Sequence, residues 1–370
     1  MNRPLRHLVA SASLVCTASL TFVACTSPQT PAATVADTDA SSAASPTTTT
    51  ADSANGLDRK EVPEPGPAPT LRAPVPTRLV LDNGLTVLVI EKRDLPLVGL
   101  RVVVRSGSAD DPASLPGLAG FVADMLKAGT KKRNAETLAA SVESLGADLA
   151  MGAGDDSTTL TAAVMTQHFP ALFEVVADVI TNSTFAPAEL DRTREKRLTA
   201  LKQEVDNPAR LATRTMREVV FGAHPYGHTA LGTRASLTAL RQRDLAAFFE
   251  THFRPDNIGI IVVGDIDTAG AQALVAQHLG SWKRRAVTTT PRAAATRLPR
   301  RIVLVDRPGA PQSQLVVTQL GLERTSPDYF ASVLTNMVLG GQFNSRLNMK
   351  LREEKGYTYG ASSNFEYASW

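Results

Sequence analysis

The chain has 370 residues, 39 Lys+Arg against 36 Asp+Glu, 43% hydrophobic and 20% charged, which is enough for a sizeable core and for two domains. A net charge of +3 and 5% aromatic residues exclude the basic field and stacking platform of a nucleic-acid binder. Both cysteines, Cys16 and Cys25, lie in the first 25 residues, so no disulfide, thiolate zinc site or cysteine nucleophile is available to the rest of the chain.

Arg3 and Arg6 precede an apolar run from Leu8 to Val23, too short for a stable bilayer span, and the pattern reads as a secretory signal over residues 1–25. Its end, Phe22-Val23-Ala24-Cys25, resembles the bacterial lipobox. That resemblance implies an acylated Cys25 at the mature terminus, with the following Thr26 favouring the outer membrane, facing the periplasm. Cys16 belongs to the apolar core of the signal. Residues 26–76 are Thr, Ala, Ser and Pro with scattered charge, a composition that does not bury enough apolar surface to fold. As a tether of ~50 residues it reaches ~35–42 Å.

Leu79 to Glu91 alternates around Asp82-Asn83-Gly84, whose Asn-Gly pair tolerates the positive φ angles of a tight turn, so two short strands open the domain. Leu97–Val104 reads as a third strand. Pro116-Gly117 introduces a helix over Leu118–Lys127, a second helix spans Glu136–Leu145, and two strands form a hairpin about Gly152–Asp156. Longer helices follow at Gln167–Thr181, Pro187–Val205, Ala209–Phe221 and Leu237–His252, then a buried strand at Asn257–Gly264 and a helix at Thr268–Leu279. This order favours an α+β layer over a doubly wound parallel sheet. Thr288–Pro299 reads as a linker. Strands at Arg301–Asp306 and Ser313–Leu320 and a helix at Asp328–Leu339, closed by Gly340-Gly341, repeat the opening order as a weak internal duplication. The expected organisation is an N-terminal domain over 77–287, a linker over 288–299 and the start of a second, incomplete domain over 300–370.

Several segments together resemble the pitrilysin/insulinase family of zinc peptidases, which includes the mitochondrial processing peptidases. They are Leu81–Val87, Gly117–Leu126, Phe253–Asn257, Val263–Asp265 and Gly340–Leu347, and the match runs from about Arg78 to the end. The resemblance implies two homologous α+β domains, each a mixed sheet backed by helices, forming half of a clamshell around an extended peptide. The family's zinc motif is His-x-x-Glu-His, in which two histidines one helical turn apart bind Zn²⁺ and the Glu activates the metal-bound water. Those positions hold Gly120, Ala123 and Asp124, and a downstream family Glu matches Glu204, 80 positions after Asp124. Asp124 and Glu204 make at most a two-carboxylate site without imidazoles or base, and the plainer reading is ion-paired helix residues left from an ancestral site.

The histidines supply no substitute. His224 and His228 are separated by Pro225 and Gly227, His168 and His278 lie in amphipathic helices, His252 ends one, and His7 belongs to the signal. Arg352 and Tyr359, seven apart, match the family segment whose Arg and Tyr reach the zinc site from the opposite half of the clamshell. A guanidinium and a phenol donate hydrogen bonds to substrate carbonyls and to an oxyanion, without generating the nucleophile. The competing reading pairs Arg352 with Glu353 or Glu354 and half-buries Tyr359 in a strand.

The resemblance therefore implies the non-catalytic subunit of a heterodimeric zinc peptidase. It binds no cofactor itself, lends Arg352 and Tyr359 to the zinc site of a catalytic paralogue, and captures extended peptides by strand addition. The membrane is touched only through the lipid anchor, and nucleic acid is no partner. The alternative is a surface-tethered peptide-binding or scaffolding pseudo-peptidase without a proteolytic partner. A metallopeptidase working through Asp124 and Glu204 ranks last.

Overall fold

The computed structural model describes residues 66–67, 70, 73–284, 294–297 and 299–368. The signal segment with Cys25, most of the tether and most of the 288–299 linker lie outside the described residues. The chain divides into two units at Thr70, and everything below concerns the unit from Leu71 onward.

Six strands form one mixed sheet: β1 (Thr77–Val80), β2 (Thr86–Glu91), β3 (Leu97–Val104), β4 (Asp148–Ala153), β5 (Thr158–Met165) and β6 (Ile258–Gly264), in the order β1-β2-β6-β3-β5-β4. Only β2 and β6 run parallel; the other pairs are antiparallel, so the α+β expectation holds. Alternation sets the faces: Val98, Leu100, Val102 and Val104 of β3 are buried, and Leu100 stands beside Val262 of β6 and Ala162 of β5, both buried as well. On this face pack α1 (Leu118–Met125), α3 (Phe169–Asn182), α7 (Gln242–His252) and α8 (Thr268–Leu279), whose apolar stripes complete the core. Helices α2 (Ala135–Glu143), α4 (Pro187–Asp206), α5 (Pro208–Phe221) and α6 (Arg234–Ala239) surround it.

Two local expectations are corrected. The turn forms, but of Asn83-Gly84 only Gly84 takes a positive φ (87°); Asn83 accepts from Leu85 N at 3.2 Å within the turn and also donates from Nδ2 to the carbonyls of Leu279 and Trp282 at 2.7 and 3.1 Å, tying the turn to the end of α8. The helix expected over Leu237–His252 is two helices, α6 and α7, with an extended break at Leu240-Arg241. The break persists because Arg194 of α4 donates to the carbonyls of Leu237 and Leu240, and Asp244 accepts from the Arg241 amide. The Phe253–Asn257 segment closes the sheet: Asn257 donates to Ser106 Oγ at the end of β3 and to the His252 carbonyl, while Ser106 Oγ lies 2.7 Å from His252 Nδ1.

In the C-terminal segment the expected strands at 301–306 and 313–320 are not formed. Both stretches are irregular, neither pairs with another strand among the described residues, and Ile302, Leu304, Leu315 and Val317 stand exposed. A strand is defined by its neighbour, and alternation alone supplies none. The expected third element is present: α9 (Tyr329–Asn336) continues without a break into a π-helical turn at Met337–Gly341, so the helical run passes Leu339 as expected, in wider geometry at its end. Gly340 is required by packing more than by helix termination, since a Cβ there would meet Ser363 N at 2.4 Å. The segment is held to the first half by Arg307, which donates to the Val205 carbonyl at 2.7 Å, and by Arg217 of α5, which bridges Asp155 at 2.7 Å and Glu366 at 3.8 Å.

One buried charge anchors the helical layer. Asp178 of α3, its side chain 1% exposed, accepts from Arg133, Thr130 and Asn182 at 2.8, 2.6 and 2.9 Å. Burial pushes its carboxyl up, but these hydrogen bonds outweigh burial and hold it below its ordinary 3.8. Its contribution is present at neutral pH and lost as pH falls below that range. Asp178→Ala is expected to cost about 3 kcal/mol in urea unfolding at pH 7, because Arg133 is left without its buried partner, and distinctly less at pH 3.

Candidate functional site

Helix α1 carries Gly120, Ala123 and Asp124, the positions that the resemblance matches to the zinc motif. Its entry is shaped by Gly117, which takes the left-handed φ of +94°. The carboxylate of Asp111 caps the first turn, accepting from Gly117 N at 2.6 Å and Ala119 N at 2.7 Å. The Asp111 side chain is fully buried, and that burial pushes its carboxyl up to about 7 against the pull of these two bonds. His228 Nδ1 lies 3.9 Å from Asp111 Oδ2, and burial lowers the His228 pKa.

Gly120 and Ala123 are buried and Asp124 reaches the surface at the end of the same face. A Cβ built on Gly120 would lie 2.1 Å from the Ala230 carbonyl oxygen and 2.8 Å from an Arg197 guanidinium nitrogen. The position of the first zinc ligand is thus filled by backbone, and no side chain of any kind fits there. Arg197 of α4, 8% exposed, pairs with Asp124 at 2.5 Å, donates to the Ala230 carbonyl and lies 5.7 Å over the Phe121 ring. Glu204 pairs with Arg214 at 2.8 Å. Each carboxylate considered as a leftover ligand is therefore committed to its own arginine. Among the described residues no group of three or more His, Cys, Asp or Glu stands close enough to hold a metal ion. The residues at the motif positions do not fit zinc: the ligand atoms are missing, the space is taken and the charge next to Asp124 is already positive.

The histidines occupy separate environments. His224 accepts from the Tyr226 amide, with the short turn Pro225–Gly227 between it and His228, and His278 lies edge-on to Phe173. Arg352 and Tyr359 are both accessible, at 38% and 86% exposure. Arg352 bonds Glu353 at 3.3 Å and lies 4.7 Å over the Phe343 ring, as the plainer reading of that residue expects; Tyr359 projects from an irregular, exposed stretch instead of being half-buried in a strand. No bond joins either residue to α1 among the described contacts.

Beside α1 lies β4, the last strand of the sheet, which pairs with β5 on one side and with no described strand on the other.

Sequence reasoning missed Arg197, Arg214 and the backbone of Ala230. A signal existed: Leu190, Arg194, Arg197 and Leu201 follow spacings of 4, 3 and 4, so two arginines sit on the buried stripe of α4. Arginine on an apolar stripe implies a buried partner, here a carboxylate or helix-end carbonyls.

Known proteins agree with this architecture. Residues 86–234 match the family described as insulinase (peptidase family M16), and residues 239–369 match the peptidase M16 inactive domain. An uncharacterised zinc protease of Mycobacterium bovis is 27% identical over 308 residues, covering 82% of this chain and 69% of that protein. The crystal structure of a peptidase M16 inactive domain from Pseudomonas fluorescens superposes with a TM-score of 0.69 at 26% identity, covering 79% of this chain and 71% of that one. A protease from Helicobacter pylori shares the fold, with a TM-score of 0.68 at 18% identity over 80% of this chain and 73% of that one. The chain belongs to the pitrilysin/insulinase family, peptidase family M16. Within it, this is a pseudo-peptidase, a peptidase-like chain without the residues of the zinc motif.

Two substitutions report on this geometry. Glycine to alanine inside a helix ordinarily gains up to about 1 kcal/mol. Gly120→Ala is instead expected to lose about 2 kcal/mol in urea unfolding, because its Cβ meets an immobile carbonyl. Asp111 is neutral in the fold up to about pH 7 but ionises near 3.8 when unfolded, so it lowers stability as pH rises through that window. Asp111→Asn is expected to flatten the fall in unfolding free energy between pH 4 and 7, measured against the parent chain.

Proposed function

We propose that this chain is the non-catalytic subunit of a heterodimeric zinc peptidase, forming half of a peptide chamber with a catalytic paralogue. The observation that carries the reading is the pairing of a filled, metal-incompetent α1 with an accessible Arg352 and Tyr359. Zinc and the general base come from the partner subunit. Arg352 and Tyr359 donate hydrogen bonds to the substrate carbonyl and to the oxyanion as water attacks the scissile bond. The free edge of β4 accepts an extended peptide through its main chain, a mode that reads backbone more than side chains.

The leader and lipobox-like Cys25 support export and lipid anchoring at the cell envelope, with residues 26–76 as the tether that lets the folded body meet its partner at the outer membrane. Among the described residues no helix is long and apolar enough to cross a membrane. A peptide-holding scaffold without a proteolytic partner is the second reading, favoured by the β4 edge, which needs no metal.

The test is cleavage of a quenched peptide library by this chain, by a relative from the same cell with an intact His-x-x-Glu-His motif, and by their mixture. Only the mixture is expected to cleave, and Arg352→Ala in this chain is expected to lower its kcat by about 100-fold, the scale of a lost oxyanion donor. A mixture that stays silent, or one indifferent to Arg352→Ala, overturns the subunit reading. Retained peptide binding by the isolated chain then favours the scaffold.

A further inference from the structure

The arginines beside α1 form a repeated pattern. Arg197 donates from one nitrogen to the Asp124 carboxylate and from another to the Ala230 carbonyl. Arg214 donates from one nitrogen to the Glu204 carboxylate at 2.8 Å and from another to the Gly232 carbonyl at 2.9 Å. Two carboxylates, on α1 and α4, thereby hold two guanidiniums that grip carbonyls two residues apart on one stretch of backbone, Thr229–Gly232.

That stretch lies flush on the first turns of α1 because three glycines remove every intervening side chain. A Cβ on Gly117 would meet Gly232 Cα at 2.6 Å, one on Gly232 would meet the Pro116 carbonyl at 2.4 Å, and one on Gly120 would meet the Ala230 carbonyl at 2.1 Å. Ser236 Oγ fixes the far end by donating to the Pro116 carbonyl at 2.6 Å. Positions 117, 120 and 124 share one face of α1; the strap covers 117 and 120, and the Arg197 that grips it also holds Asp124 at the open end of that face. Closure has a cost, since Arg197 Nε and Thr229 Oγ1 are buried without a hydrogen-bond partner. The two charge-assisted bridges offset it.

We propose that Thr229–Gly232 is a permanently closed strap over the motif face of α1, locked by Arg197 and Arg214, whose charges neutralise Asp124 and Glu204 in place of any metal. Asp124 and Glu204 are positioning residues for this strap. The chain is closed to zinc by packing and by internal charge as well as by loss of ligands, so restoring the motif residues does not restore a zinc site. This inference rests on the placement of the motif at 120, 123 and 124 and is independent of any partner subunit, so it stands or falls separately from the heterodimer.

The test combines metal content with hydrogen exchange on the full chain. After incubation with Zn²⁺ alone and removal of excess, Gly120→His/Ala123→Glu/Asp124→His is expected to retain no more zinc than the parent chain. Because an imidazole at position 120 is aimed into the Ala230 carbonyl and endangers folding, two milder variants carry equal weight. Asp124→Asn and Glu204→Gln are each expected to raise amide exchange at Thr229–Gly232 by about tenfold while β6 amides remain unchanged, a local opening rather than global unfolding. The parent strap is expected to exchange identically with and without a chelator. One zinc retained per folded triple variant, strap exchange unchanged in both milder variants, or chelator-dependent exchange in the parent would overturn the proposal.

Discussion

The architecture around α1 depends on one contact: the Ala230 carbonyl resting where the side chain of residue 120 would be, held there by Arg197. A helix interior normally disfavours glycine, so a glycine here has to be offset by close approach of another backbone. The approach brings α4, α5 and the segment before α6 onto one face of α1. Helix α1 is thereby fixed against the sheet on one side and against an arginine-laced layer on the other. A position that in a zinc peptidase must project an imidazole has become a site of backbone packing, and the positive charge beside Asp124 is covalently part of the protein.

Much of the fold was legible because it follows from short-range patterning. Strand β3 and helix α8 fall where alternation and capping put them; Asp267 accepts from Gly270 N at the start of α8, as an N-cap should. What escaped were features set by distant partners. The break between α6 and α7 depends on Arg194, more than 40 residues away, satisfying two freed carbonyls. Asn83 forms the turn as its sequence suggests, but its second task, the tie to α8, is set by a partner 196 residues away. The segments at 301–306 and 313–320 show the converse, with a strand-like sequence pattern but no neighbour in the described chain to pair with.

The site was legible only in part, for a related reason. Motif positions are local, so the family resemblance of Gly117–Leu126 is enough to match Gly120, Ala123 and Asp124 to the zinc motif. Their chemistry is not local. Whether Asp124 and Glu204 form a remnant metal pair depends on which cations face them, and those come from α4 and α5. The stripe Leu190, Arg194, Arg197, Leu201 carried the necessary signal, because arginine at a buried helical position requires an acceptor. Arg352 and Tyr359 are the reverse case, singled out by the family resemblance and left accessible in the fold, so their role depends on what meets them.

The central claim is that this chain carries peptidase architecture with its own metal chemistry closed off; the proposed heterodimer places any zinc on a partner. Native mass spectrometry of the chain purified from its own cells, alone and with whatever co-purifies, tests it most directly. The account predicts a metal-free mass for the isolated chain, with zinc appearing only in assemblies that contain a second, motif-bearing chain. Zinc bound stoichiometrically to the isolated chain would contradict it.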